Sequence, residues 1–337
     1  MTIWGQIVDS LPTNSDLWKW CIRELSGTCG VYRILPTSHA ITFTLSRPGP
    51  RPFASGGRSD IWRLTDEDGR DQVFAVRSFR VYEQDPVDMI DKRYCKAVIV
   101  LKRANHPNIL SIEGVAPKLF KFCVVSQWMP NGGLLGYVTK HPGVNRLELL
   151  IGVTRGLDYL HDNKIVHGDL KSSNILIDAD GCPRLSDFGL RSIMKDIDPV
   201  NASTPSRGDA ARYCAPELLD TNGAVRVEKK KPTNKSDIYS LSMVIVELVT
   251  GKIPFPDSSD PRVIIMISKG NRPPKPLQFD APGMTPAVWK IAQKCWHQKA
   301  MERPEVKVVL QYLECPPNHG MCVHRVCSCP EREITDL

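Results

Sequence analysis

The sequence predicts an α+β domain built as two lobes, and three observations carry that expectation. Short apolar runs of β type come early, at residues 53–64, 74–77 and 122–131. Stretches with helical periodicity follow, at residues 147–163 and 238–250. A length of 337 residues, with 42% hydrophobic and 24% charged content, suits one large two-lobed unit with short extensions.

In chain order, residues 1–52 form an N-terminal extension. Leu17, Trp18, Trp20, Cys21, Ile22 and Leu25 recur at helical spacing behind Ser15 or Asp16 as N-cap, which predicts a short amphipathic helix docked on the domain. Its polar face is too thinly lined with Lys and Arg for a membrane anchor. Residues 47–52, RPGPRP, read as an extended linker, because each proline disfavours helix in the residue before it. The main domain spans 53–314. It opens on FASGGRSDIWRL, two strands joined by a glycine turn that serves as a phosphate-covering loop or a plain hairpin. Phe74-Ala75-Val76-Arg77 follows as a strand. Asp85 as N-cap and Pro86 at the first helical position announce a helix running to about Arg103.

Residues 122–131, FCVVSQWMPN, read as a strand leading into a connector, where Asn131-Gly132-Gly133 turns the chain. The helix over 147–163 carries His161 near its end in a structural role. A strand over 182–186 precedes Asp187. Lys229-Lys230-Lys231 forms a solvated loop. Asp237 then opens an apolar helix over 238–250 that Gly251 and Pro254 end. Residues 315–337 are a Cys-rich tail. Its Cys322, His324, Cys327 and Cys329 suit zinc in type but lack two C-x-x-C pairs, so a reduced tail without metal is expected.

Composition narrows the function. Lys and Arg number 44 against 37 Asp and Glu, a net charge of +7. No basic run with interleaved aromatics accompanies it, so nucleic-acid binding is not expected. Asp9 and Pro12 interrupt any signal-like apolar core, and the longest apolar run, 243–249, is broken by Glu247, so no membrane span is expected. Eleven scattered cysteines fit a reducing compartment with mostly buried free thiols. The expected location is cytoplasmic.

The chemistry concentrates in His167-Gly168-Asp169-Leu170-Lys171-Ser172-Ser173-Asn174, followed by Asp187-Phe188-Gly189. An H-x-D-x-K-x-x-N loop offers a carboxylate, an ammonium and an amide from one turn, and the second motif adds another carboxylate. That set suits phosphoryl transfer, where positioning and charge neutralisation carry most of the catalysis. Asp169 would accept the hydroxyl proton of the acceptor and Lys171 would neutralise the moving phosphoryl. Asn174 and Asp187 supply oxygen ligands for Mg²⁺.

With these motifs, the chain resembles a eukaryotic protein kinase domain from about residue 53 to 313. It is similar to the tyrosine-kinase-like serine/threonine kinases of the type expanded in basidiomycete fungi, most closely in PTNKSDIYSLSMVIVELVTGKIPF, APGMTPAVWKIAQKCWHQKAMERPEV and RPFASGG. The resemblance implies a bilobal fold, an N-lobe over 53–126 with an antiparallel sheet and one helix, and a mainly α-helical C-lobe over 130–314. It implies ATP and Mg²⁺ as cofactors, a protein substrate or signalling partner, and serine/threonine specificity through Lys171. Nucleotide contacts would fall to Ala54, Gly56, Gly57, Ile61, Ala75, Arg77, Gln127, Met129 and Leu176, with Asn174 and Asp187 on the metal and Ser126 as a small gatekeeper. Glu217 and Arg303 would form a buried structural ion pair.

The same resemblance exposes departures. Ala54 and Ser59 replace two loop glycines. Arg77 stands where a Lys is usual, and a planar fork has a different shape from a compact ammonium. Ala97 stands where the helix Glu should pair with that Lys, leaving Arg58 or Lys96 as candidate substitutes. Gly168 replaces the Arg that clamps a phosphorylated segment, which leaves less use for modification of Ser203, Thr204 or Ser206. Ala210 replaces a Thr that bonds the catalytic pair. Two functions therefore stand: a slow protein kinase, or a pseudokinase that uses the fold as a binding scaffold.

Overall fold

The computed structural model describes residues 11, 15–56, 59–69, 71–83, 85–190, 209–219 and 231–315. Gly57, Arg58, Ser203, Thr204, Ser206, Lys229, Lys230 and the tail cluster lie outside them. A five-stranded sheet ordered β1-β2-β3-β5-β4 forms the smaller lobe, from β1 (Ala54–Gly56), β2 (Ser59–Thr65), β3 (Val73–Phe79), β4 (Ile112–Gly114) and β5 (Cys123–Gln127). Every pairing in it is antiparallel. Phe74 and Val76 of β3 and Cys123 and Val125 of β5 face a small core with Leu45 and Leu64. Phe79 and Val124 face the main core. Burial on both faces explains why FCVV is continuously apolar instead of alternating.

Two antiparallel helices cover the main-core face. The first, α1 (Asp16–Tyr32), is capped by Ser15, whose hydroxyl accepts from the Trp18 amide at 3.2 Å, and ends at Arg33 in the left-handed region (φ 57°). It runs seven residues beyond the apolar stripe that announced it, and Trp18, Cys21, Ile22, Leu25 and Cys29 are buried against the second helix and the core. The second, α2 (Val87–Arg103), takes Pro86 as its N-cap, one residue later than expected. Asp85 is not the cap: its carboxylate turns back to accept the Tyr82 amide at 2.7 Å, closing the turn that precedes the helix. Tyr94 of α2 donates its hydroxyl to the Cys123 carbonyl at 2.6 Å, fixing the helix on β5.

The extension also wraps the sheet. Ala40 bridges Val115, Leu45 bridges Asp66, and His39 lies buried with its Nε2 2.9 Å from Arg103 Nη1. Burial, with the Arg103 and Lys102 charges beside it, pushes the His39 imidazole down to about 4. The unfolded chain takes up that proton near pH 6.5, so the stability held by neutral His39 is full above that pH and is lost as pH falls toward 4. His39→Gln, which keeps an acceptor for Arg103, is expected to remove up to about 3 kcal/mol of this acid-side slope in pH-dependent melting. Identical slopes in both proteins would refute that assignment.

The larger lobe is mainly helical: α3 (Leu134–Lys140), α4 (Arg146–Asp162), α5 (Asn234–Thr250), α6 (Asp260–Ser268), α7 (Pro286–Cys295) and α8 (Val306–Glu314), with a hairpin of β6 (Ile175–Ile177) and β7 (Pro183–Leu185). Asn145 caps α4 through the Leu147 and Glu148 amides. Asp237 does not open α5. Thr233 does so, in a capping box with Ser236, which leaves Asp237 in the first turn. Gly251 ends α5 at φ 69°. From Ile238 to Val249 nearly every side chain of α5 is buried, as expected of a helix apolar on all sides.

Arg303, fully buried, holds Glu217 bidentately at 2.7 Å on both oxygens, and its guanidinium lies 5.2 Å over the Tyr239 ring. Of the described cysteines, Cys21, Cys95, Cys123 and Cys295 are buried free thiols and Cys29 and Cys214 are buried too; burial pushes Cys95 and Cys123 up to about 11. Among the described residues no helix is long and apolar enough to cross a membrane.

Candidate active site

The β6–β7 hairpin brings the two sequence motifs together. Its register sets Ile175 against Leu185, so Asn174, just before β6, meets Ser186, just after β7, and the Ser186 amide donates to the Asn174 carbonyl at 2.8 Å. Asp187 is thereby delivered to the catalytic loop.

Within the loop the polar groups interlock. Asn174 Nδ2 donates to the Asp169 carbonyl at 2.7 Å and to its carboxylate at 3.0 Å, and Lys171 Nζ lies 3.4 Å from the same carboxylate. Asn174 thus spends its amide hydrogens on Asp169, which leaves its side-chain oxygen as a ligand for a hard cation. Together with the Asp187 carboxylate, the donor set is oxygen only, and it fits Mg²⁺.

Asp237 holds the loop backbone from below. Its carboxylate accepts the His167 amide at 2.8 Å and the Gly168 amide at 2.9 Å, and lies 2.9 Å from His161 Nε2. His161 is therefore structural, as expected. Gly168 sits at φ 77°, a conformation that suits glycine. Asp237→Ala would bury two amide donors without acceptors, so it is expected to cost roughly 3–5 kcal/mol in chemical denaturation. A loss under about 1 kcal/mol would show that the loop does not depend on this brace.

Asp187 itself is held at φ 63°, a left-handed conformation uncommon outside glycine. Phe188, buried at 1% exposure, anchors it, its ring edge-on to His167 at 6.4 Å, and the Gly189 amide donates to the His167 carbonyl at 3.3 Å. Complete burial lowers the basicity of His167, so it remains a neutral packing group.

Arg77 reaches into this centre. Its Nη2 lies 2.5 Å from Asp187 Oδ2, and its Nη1 donates to Ser59 Oγ at 3.0 Å. Two of the departures are therefore partners. In the β2–β3 ladder Ile61 opposes Arg77 and Ser59 opposes Phe79, so Ser59 is the diagonal neighbour of Arg77. The hydroxyl that replaces a loop glycine steadies the fork that replaces a lysine. The substitute cation Lys96 is ruled out: it is exposed on α2, and its aliphatic stem lies against Gly30 of α1. Ala97 is half-buried and offers no acid, so the ion pair of Arg77 crosses to the other lobe instead of joining α2.

The remaining residues expected at the nucleotide occupy the sheet and connector. Ala54 and Gly56 lie exposed on β1, Ile61 on β2, and Ala75 on β3 opposite the buried Ser126 of β5. Gln127 ends β5, Met129 accepts the Gly132 amide at 3.2 Å, and Leu176 of β6 bridges Gly133 beside the connector.

Trp128, which sequence reasoning placed in the connector, sits edge-on to Phe53 at 4.7 Å, tying the start of the sheet to it. Sequence reasoning missed one position. Glu247, noted only for interrupting an apolar run, accepts from Ser172 Oγ at 2.9 Å and Tyr213 Oη at 2.6 Å. It joins the catalytic loop to the segment ahead of Glu217. An acid inside an otherwise apolar buried helix was the available signal, since such a charge persists only with partners.

An antiparallel sheet carrying two helices, set over a helical lobe, with two carboxylates, a lysine and an asparagine assembled between them, defines the protein-kinase fold class. The chain belongs to the protein tyrosine and serine/threonine kinase family, whose profile matches residues 58–313. It is 27% identical over 267 residues to serine/threonine-protein kinase STY46 of Arabidopsis thaliana, covering 78% of this chain and 43% of that protein. It is likewise 27% identical over 276 residues to serine/threonine/tyrosine-protein kinase HT1 of the same plant, covering 78% and 65%. A putative serine/threonine-protein kinase/receptor, R831 of Acanthamoeba polyphaga mimivirus, is 34% identical over 246 residues, covering 71% and 14%. The chain thus spans less than two thirds of each of these relatives.

Proposed function

We propose that this chain is a slow, Mg·ATP-dependent kinase for serine and threonine hydroxyls of protein substrates. The observation that carries the proposal is the interlocked set of Asp169, Lys171, Asn174 and Asp187, each supported by its own hydrogen bonds or ion pairs. In this reading Asp169 accepts the proton of the attacking hydroxyl, and Lys171, beside it, neutralises the phosphoryl in transit. Asn174 and Asp187 hold Mg²⁺, which supplies charge neutralisation at the phosphates. Arg77, anchored by Ser59, orients Asp187 and stands in for the missing lysine. Relatives named serine/threonine-protein kinases support the acceptor class, while HT1 is named for tyrosine as well.

The second reading, a nucleotide-binding scaffold, is favoured by one observation: Arg77 spends its fork on Asp187 while Ala97 leaves no helix partner. Phosphate incorporation from labelled ATP, into the protein itself and a generic basic substrate, with and without Mg²⁺, separates the two. Mg²⁺-dependent incorporation that disappears in Asp169→Asn supports the enzyme. Equal background in both proteins leaves the scaffold.

A further inference from the structure

A cavity of about 490 Å³ opens away from the phosphoryl-transfer centre, between α1, the C-terminal end of α2 and the end of α4. Its size falls in the range of small-molecule sites. Trp18 and Ile22 of α1, Val100 of α2, and Tyr159 and Ile165 from the α4 side supply apolar and aromatic walls.

The polar groups at its edge are unevenly matched. Asp162 is already answered by two cations, Lys19 at 3.4 Å and Lys307 at 3.2 Å, which hold its carboxyl below the usual range. Asp16 lies in the first turn of α1, where the helix dipole favours a negative charge. Arg23 and Lys164, both exposed at the edge, pair with no carboxylate among the described residues. The cavity therefore presents apolar walls and two cations without counter-charges.

We infer that this cavity is a binding site for a small amphipathic anion, an aromatic carboxylate. The ring packs on the apolar wall of Trp18, Ile22 and Ile165, and the carboxylate meets Arg23 and Lys164. Such a ligand bridges α1, packed on the smaller lobe, to Lys164, three residues before His167 of the catalytic loop. It is thus placed to bind outside the nucleotide cleft and to tie one lobe to the other.

The probe is 6-hydroxy-2-naphthoate, with its uncharged carboxamide as control, titrated calorimetrically into the full chain in the presence of excess ADP. The expected result is one site per chain that prefers the carboxylate at least tenfold over the amide. Arg23→Glu/Lys164→Glu should erase that preference, a tenfold or greater loss for the carboxylate, with the amide unchanged. Both positions are exposed, so the double variant is expected to melt as the wild type does, and Trp18→Ala should weaken both probes. Absence of one-to-one binding, or equal carboxylate affinity in wild type and the charge-reversed variant, would overturn the inference.

Discussion

Replacing Asp169 by asparagine is expected to lower Mg²⁺-dependent phosphate incorporation by 10²–10⁴-fold, to background for a slow enzyme, while leaving the melting temperature within a degree or two. The variant keeps a side-chain oxygen to accept from Asn174 Nδ2, now 3.0 Å from the carboxylate, and keeps the backbone carbonyl that takes the shorter 2.7 Å bond. What it loses is basicity, and with it the charge that holds Lys171 at 3.4 Å. A loss of activity accompanied by a large drop in stability would instead mark Asp169 as a structural residue. Undiminished activity would place the proton acceptor elsewhere.

The second large effect is expected at Arg77. Removing the fork in Arg77→Ala leaves Asp187, held in a left-handed backbone conformation, without the ion pair that fixes its carboxylate at 2.5 Å. Loss of one preorganised electrostatic contact typically costs two to three orders of magnitude in rate, about 3–4 kcal/mol. A fall of 10²–10³-fold in kcat/KM for ATP is therefore expected. The double variant Arg77→Lys/Ala97→Glu restores a compact ammonium and gives it a carboxylate on α2, so it is expected to exceed the wild-type kcat/KM at least tenfold. A double variant no better than Arg77→Ala would mean that the cross-lobe contact of Arg77 with Asp187 and Ser59 cannot be replaced by a pair on α2.

The catalytic loop was legible because its chemistry is contiguous: Asp169, Lys171 and Asn174 fall within six residues, and local backbone geometry alone brings their heads together. Helix boundaries were legible to a residue or two where capping chemistry marks them, at Ser15 and Gly251. They slipped where one residue type had two uses. Asp85 looks like a cap, yet it closes the preceding turn, and Asp237 looks like a start, yet it lies one turn inside because its carboxylate is committed to the catalytic loop.

Residue types and their local spacing thus determined the phosphoryl-transfer loop, and the resemblance they carry implied the two-lobed class and the absence of the lysine–glutamate pair. Tertiary structure alone decided what replaces that pair. Arg77, Ser59 and Asp187 come from two adjacent strands and a distant hairpin, and only strand register and the β6–β7 turn place them in contact. The same holds for Glu247, whose two partners lie on separate segments, and for α1, whose cavity exists only because it packs across both lobes. Pairing across sequence distance depends on how elements pack, and side-chain periodicity within one element carries no record of it.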